Sequence, residues 1–222
     1  RKYRPESVYE CFDEVGTVNG LAWTSVGGEL MKLEASALDG TGKIVLTGSL
    51  GDVMKESAQT AVSYVRSIAN DYGIDTKFYK NKDIHLHATE AAVPKDGPSA
   101  GITMAVALVS ALSGIAIRHD VAMTGEISLL GKVLPIGGLK EKTMAAYRAG
   151  IKKVIVPEEN KADLSEVDER VKENIEFVIV NDMKQVLETA LVANKMVSKP
   201  RHSVAKKANK SITNNKNVWE SK

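Results

Sequence analysis

Apolar and polar residues alternate along Val15–Thr24 and again along Glu29–Leu38, and the two runs flank Gly27-Gly28. Period-two patterning predicts half-buried strands, and a glycine pair between them predicts a hairpin. Leu38-Asp39-Gly40-Thr41-Gly42 reads as a second turn into a strand over Lys43–Thr47, so this part of the chain predicts a three-stranded antiparallel meander. The period then changes. Val53, Met54, Ala58, Ala61, Val62, Val65 and Ile68 recur at three- and four-residue steps and predict a helix over Asp52–Asn70, closed by Tyr72-Gly73. Ile84, Leu86 and Ala88 alternate with Asp83, His85 and His87 in another half-buried strand. Ser99–Ser113 is apolar almost all round, the mark of a helix buried on most sides. Strands over Ala122–Ser128 and Lys132–Pro135, a helix over Gly138–Arg148, strands over Lys152–Val156 and Ile175–Val180, and a helix over Met183–Ala193 complete the series. Strands that come first together and then alternate with helices predict a mixed α/β (α+β) layered fold.

Composition narrows this picture. The chain has 222 residues, 43% hydrophobic but only 5% aromatic, so one sizeable core of aliphatic packing is expected. A single cysteine, Cys11, allows no internal disulfide and fits a reducing compartment, hence a cytoplasmic setting. No apolar run approaches the roughly 20 residues that span a bilayer, and the opening Arg-Lys-Tyr-Arg-Pro does not read as a signal peptide, so none is expected. The first residue is not methionine, so the chain is expected to be a piece of something longer. Charge is uneven. Residues 194–222 carry eight Lys/Arg against Glu220, a net +7 within a whole-chain +2, so the remainder is −5. That stretch, without apolar periodicity, predicts a solvated, disordered basic tail, with weak nucleic-acid contact as the alternative. The expected organisation is an entry arm over 1–14, one domain over 15–193 and the tail over 194–222.

Candidate chemistry concentrates at two helix starts. Pro94-Lys95-Asp96-Gly97-Pro98-Ser99-Ala100-Gly101 sets a serine among small and rigid residues, directly ahead of the apolar helix. There it has an exposed hydroxyl, an unpaired backbone N–H and the positive end of a helix beside it, conditions for attacking a carbonyl and holding an oxyanion. The same position suits an ordinary helix N-cap. The G-x-S-x-G spacing of Gly97–Gly101 matches a hydrolase nucleophile elbow, but that elbow needs a strand running straight into the serine. Here the preceding strand ends near Ala88, two prolines intervene, and the later histidines, His119 and His202, fall at the end of the buried helix and in the tail.

Gly137-Gly138-Leu139-Lys140-Glu141-Lys142 supplies a lysine at the second helix start. A lysine becomes a base near neutral pH only when its pKa, about 10.4 when free, is brought down by several units. Burial beside Leu139, Met144 and Ala145 and the positive helix end both act in that direction. The competing reading puts Lys140 and Lys142 on a solvated face around Glu141. Thr124, in Met123-Thr124-Gly125-Glu126, is either a plain strand residue or a hydroxyl that orients a neutral amine. Asp96 either pairs with Lys142, raising its pKa and silencing the base, or shapes the turn. His85 and His87 share a strand face, but no Cys or close His completes a metal set, so polar support of the loop is the stronger reading. Gly42-Lys43 lacks the first glycine and the Ser/Thr of a phosphate loop, where Ala37 and Ile44 stand. No cofactor is expected in this domain.

Taken together, Asp83–His87, Val93–Gly101, Met123–Glu126 and Leu134–Lys142, with Gly20–Thr24 and Thr47–Ser57, resemble the proteolytic domain of Lon, the ATP-dependent serine protease, from about Val15 to Ala193. The resemblance implies a compact α/β domain akin to the second domain of ribosomal protein S5. It implies Ser99 as nucleophile, Lys142 as general base and Thr124 as the residue that holds the amine. Asp96, His85, His87 and Glu34 match polar positions near the family's site, with modulating roles. It further implies an AAA+ ATPase and a substrate-binding domain ahead of this one, a hexameric ring, unfolded or misfolded proteins as substrates, and a place in protein quality control and the stress response. A catalytically silent assembly module is the alternative.

Overall fold

β1 (Thr17–Thr24) and β2 (Gly27–Asp39) pair antiparallel, in register from Thr17↔Glu34 to Thr24↔Gly27. The expected hairpin is therefore present, but Gly27 and Gly28 belong to its second strand. The computed structural model describes residues 12–24, 27–89 and 94–192. Most of the expected entry arm, the basic tail and Val93 lie outside the described residues.

The expected meander stops at two strands. β3 (Ile44–Thr47) does not return to β2; it runs parallel to β4 (Lys82–Ala88), and β4 takes the place beside β2. Asp83 accounts for the detour. Its Oδ1 accepts the Thr41 and Lys43 N–H groups at 2.7 and 2.9 Å, drawing the Gly40–Lys43 turn over the start of β4. These amide contacts hold the Asp83 carboxyl below the usual carboxylate range. Parallel neighbours need a crossover, and α1 (Asp52–Ile68) supplies it, followed by a 3-10 turn over Ala69–Tyr72 and the short α2 (Phe78–Asn81).

The predicted helix over Ser99–Ser113 is α3 (Gly101–Ser113), preceded by a 3-10 turn over Pro98–Ala100. The predicted strand over Ala122–Ser128 divides into β5 (Val121–Met123) and β6 (Glu126–Ile127), which pairs with β7 (Val133–Leu134). α4 (Leu139–Arg148), β8 (Lys153–Pro157), α5 (Glu169–Asn174), β9 (Glu176–Val180) and α6 (Met183–Ala190) follow. The sequence pattern passes over α2 and α5, each too short for a helical period to declare itself. The Asp168 side chain caps α5 by accepting the Arg170 N–H.

The main sheet has the order β3-β4-β2-β1-β5-β8-β9, parallel except where β2 meets β1 and β4. One face buries Val18, Leu33, Leu86 and Met123 under α1, α3 and α6. α3 is apolar all round because it packs on the sheet, on α1 and on α6 at once. The other face buries Leu21, Ala122, Val154 and Val156 under α4 and α5. Among the described residues no helix is long and apolar enough to cross a membrane.

Candidate active site

Two backbone features place Ser99. Gly97 adopts φ 133 and ψ 160, a conformation that L side chains rarely reach, and Pro98 then starts a 3-10 turn with its ring-fixed φ. Ser99 therefore sits inside that turn, half-buried. It does not cap α3: Ala100 occupies the N-cap position and no side chain caps the helix. The Ser99 carbonyl accepts the Gly125 N–H at 2.9 Å, and Gly125 in turn accepts Ile102 N–H at 3.2 Å. These bonds explain the break between β5 and β6. At Thr124-Gly125 the chain leaves the sheet to bind the serine turn, and a Cβ on Gly125 would stand 2.9 Å from Ile102 Cδ1.

Lys142 arrives from the opposite face of β1 and β2. α4 opens at Gly138, whose φ of 71 gives a sharp entry, and its first turn lies directly on β2. A Cβ on Gly28 would overlap the Glu141 carbonyl and come within 2.9 Å of Lys142 N, so glycine at that strand position sets the approach. The close seat leaves Lys142 only 3% exposed. Burial pulls its pKa down to about 8, because an ammonium that has lost its water is costly. The solvated-face reading of Lys142 is thereby excluded.

Thr124 joins the two. Lys142 Nζ donates to Thr124 Oγ1 at 3.1 Å, and the Thr124 hydroxyl donates to the Ser99 carbonyl at 3.4 Å. Thr124 is itself fully buried. A neutral amine has two N–H bonds and one lone pair; when threonine takes an N–H, the lone pair stays available for a proton.

Ser99 and Lys142 line one groove of about 700 Å³, with Leu21–Thr24 of β1, Met31, Met54, the Pro94–Pro98 loop and Pro135–Gly137 as its walls. Asp96 also lines it but is not paired with Lys142. Its Oδ1 accepts the Met54 and Gly97 N–H groups at 3.2 and 2.9 Å, so it shapes the loop. Lys95, which sequence reasoning passed over, is 4% exposed and lines the same groove.

The other expected supporting residues stand elsewhere. Glu34 pairs in register with His87 across β2 and β4, and His85 and His87 both bind Thr47 Oγ1 at 2.8 Å. None of the three lines the groove. Among the described residues no cluster of three His, Cys, Asp or Glu side chains is placed to hold a metal ion. His119 is bound to Asp13 at 2.8 Å and does not line the groove, and His202 lies outside the described residues, so the described groove offers no histidine base.

A family profile of the Lon protease (S16) C-terminal proteolytic domain matches residues 1–193. The chain belongs to this family. It is 57% identical to the Lon protease of Finegoldia magna over 180 residues, 81% of this chain and 23% of that protein. It is 59% identical to the Lon protease of Clostridioides difficile over 179 residues (81% and 23%) and 56% identical to Lon protease 1 of Myxococcus xanthus over 186 residues (84% and 23%). The chain thus spans about a quarter of the length of these Lon relatives.

A conservative change separates the Thr124 contact from packing. Thr124→Val keeps the shape and removes the hydroxyl, leaving the Lys142 amine without that partner. Peptide turnover is expected to fall about 10- to 100-fold with little change in KM, the scale of one buried hydrogen bond to a polar group. Unchanged kcat in the valine variant would show that threonine serves packing alone.

Proposed function

We propose that this chain is a serine endopeptidase in which Ser99 is the nucleophile and Lys142 the general base. One observation carries the reading: a buried amine with a pKa of about 8 shares a threonine hydroxyl with the backbone of a serine in the same groove. Neutral Lys142 takes the Ser99 hydroxyl proton as Oγ bonds to the scissile carbonyl carbon. Backbone N–H groups of the turn at Ser99 hold the oxyanion. The ammonium so formed returns its proton to the leaving amine as the C–N bond breaks, which leaves an acyl-serine. Water, deprotonated by the same amine, releases the acid and regenerates Ser99. The residues lining the groove supply this chemistry without a cofactor.

The walls are mainly apolar, and β5 pairs with β1 only at Asn19 and Gly20, so the Leu21–Thr24 stretch of β1 borders the groove. An extended peptide with apolar side chains fits such a border. Unfolded or misfolded protein is the substrate class, because a folded domain does not offer an extended backbone to such a border. In a longer Lon protein the domain works in the cytoplasm as one member of a hexameric ring fed by an ATP-driven unfolding module.

The test is covalent. A fluorophosphonate probe followed by peptide mapping is expected to modify Ser99, and the adduct is expected to vanish in Lys142→Met. Labelling of another serine, or labelling of Ser99 that ignores the loss of Lys142, refutes the assignment.

A further inference from the structure

The loop that carries Ser99 is fastened to the start of α1, and the fastening passes over a glycine. Lys95 N–H donates to the Ser49 carbonyl at 3.1 Å and Gly51 N–H to the Lys95 carbonyl at 2.7 Å. Together they form a short parallel bridge. Asp96 then places its carboxylate on the first turn of α1, where the Met54 N–H lacks an acceptor within the helix. Gly51 is the N-cap of α1 and has no side chain to serve that amide, so the cap comes from 42 positions further along the chain. The Gly51 backbone, φ −71 and ψ 175, suits any residue. Space selects glycine there: a Cβ would stand 2.5 Å from Asp96 Oδ2 and 2.6 Å from Asp96 Cβ.

The charges around the groove give this seat a consequence. Lys95, Asp96 and Lys142 are the charged residues lining it, so Asp96 is its one acid among the described residues. In the seat, the carboxylate binds the amides of Met54 and Gly97; its field also reaches Lys55, whose direct partner is Asp52. The elements around Lys142 further carry Glu29 on β2 and Lys140 and Glu141 on α4. With Asp96 seated, burial alone sets the proton affinity of Lys142.

We propose that Gly51 is a positioning residue for the Ser99–Lys142 pair: its bare Cα lets the start of α1 hold Asp96, which fixes the serine loop and keeps the groove's acid off the lysine amine. This rests on the hydrolase reading above. A side chain at 51 evicts the carboxylate; the buried cations lining the groove are Lys95 and Lys142, and pairing with Lys142 is the outcome that bears on the base. An ammonium paired with a carboxylate keeps its proton to higher pH and stops serving as a base.

Competitive acylation of amines, read by mass spectrometry across pH, measures where Lys142 loses its proton and needs no turnover. The parent midpoint is expected near the value of about 8 set by burial. Gly51→Ala is expected to raise it by about one unit or more and to cut peptide turnover at neutral pH about tenfold. Gly51→Ala with Asp96→Gly, which removes the acid and makes room for the methyl, is expected to return the midpoint to the parent value. Asp96→Asn alone is expected to leave the midpoint in place, and this arm stands even if Gly51→Ala fails to fold. An unmoved midpoint in Gly51→Ala overturns the proposal, as does a shift that survives in the double variant. A lower midpoint in Asp96→Asn overturns it too, because the acid would already oppose the amine. Failure of the hydrolase reading shows separately, in the labelling of Ser99.

Discussion

Ser99→Ala and Lys142→Met will each lower the hydrolysis of a small unstructured peptide by about 10⁴-fold or more, and the double variant will be little worse than either single one. The non-additivity follows from the mechanism. An alcohol without a base is a poor nucleophile, and a base without an alcohol has nothing to activate, so each change removes the same step. Both side chains sit at positions where the smaller or apolar substitute is tolerated. Ser99 is half-buried in a 3-10 turn held by backbone bonds through Gly125, and Lys142 emerges from the first turn of α4 into apolar surroundings. Circular dichroism is therefore expected to be unchanged.

The pH profile adds a second, independent reading of the same pair. The proposed base works only when neutral, and the pKa of Lys142 is about 8. Below that value the rate of acylation is expected to fall about tenfold for each pH unit, and above it the rate is expected to level off. Single-turnover measurements with an activated ester or peptide isolate that step. A flat profile from pH 6 to pH 9 in the parent, or substantial activity in Lys142→Met, would assign the proton to another group. His119, bound to Asp13 away from the groove, is poorly placed to be that group.

How much of this was legible beforehand depends on the range of each contact. The hairpin, α1, α3, α4 and α6 are written in periodic apolar positions, because each buries one face or all faces along its length. The pairing of β3 is not, since it hinges on a single carboxylate, Asp83, that gathers the amides of a turn some 40 positions away. Gly28 shows the same limit. Next to Gly27 it reads as a turn, yet it is a strand residue kept bare so that α4 can lie against it. Ser99, Lys142 and Thr124 were found as motifs, but local spacing left each with an ordinary structural alternative. Only the assembled fold buries the lysine and joins it to the serine turn through Thr124. Glu34, His85 and His87 show a different limit: the resemblance implies modulating positions near the site, while the strands hold them through β2–β4 register and Thr47 and not in the groove lining.

The depressed pKa of Lys142 also fixes how stability depends on pH, and this gives the largest expected effect on folding. The lysine has a folded pKa of about 8 against an ordinary 10.5. Below pH 8 both folded and unfolded chains hold the proton, and the folded state carries the whole cost of a buried ammonium, about 3 kcal/mol. Between pH 8 and 10.5 the folded chain releases the proton while the unfolded chain keeps it, so stability rises with pH. Above that window both are neutral and the penalty is gone. Tyr64 works the other way at the alkaline end. Burial pushes its pKa up to about 12, so the unfolded chain ionises first and stability falls above about pH 10. The tyrosine contribution is common to parent and Lys142→Met and cancels in their difference. Urea denaturation of the two proteins across pH is thus expected to show methionine the more stable by about 3 kcal/mol at pH 7, with the gap closing between pH 8 and 10.5. A gap that stays constant across the window would mean that methionine gains by packing alone and that the folded amine keeps its proton to the same pH as the unfolded one, so that its pKa is not depressed. Equal stability at pH 7 would mean that the ammonium is compensated in the fold, and the reading of Lys142 as a primed base would fail with it.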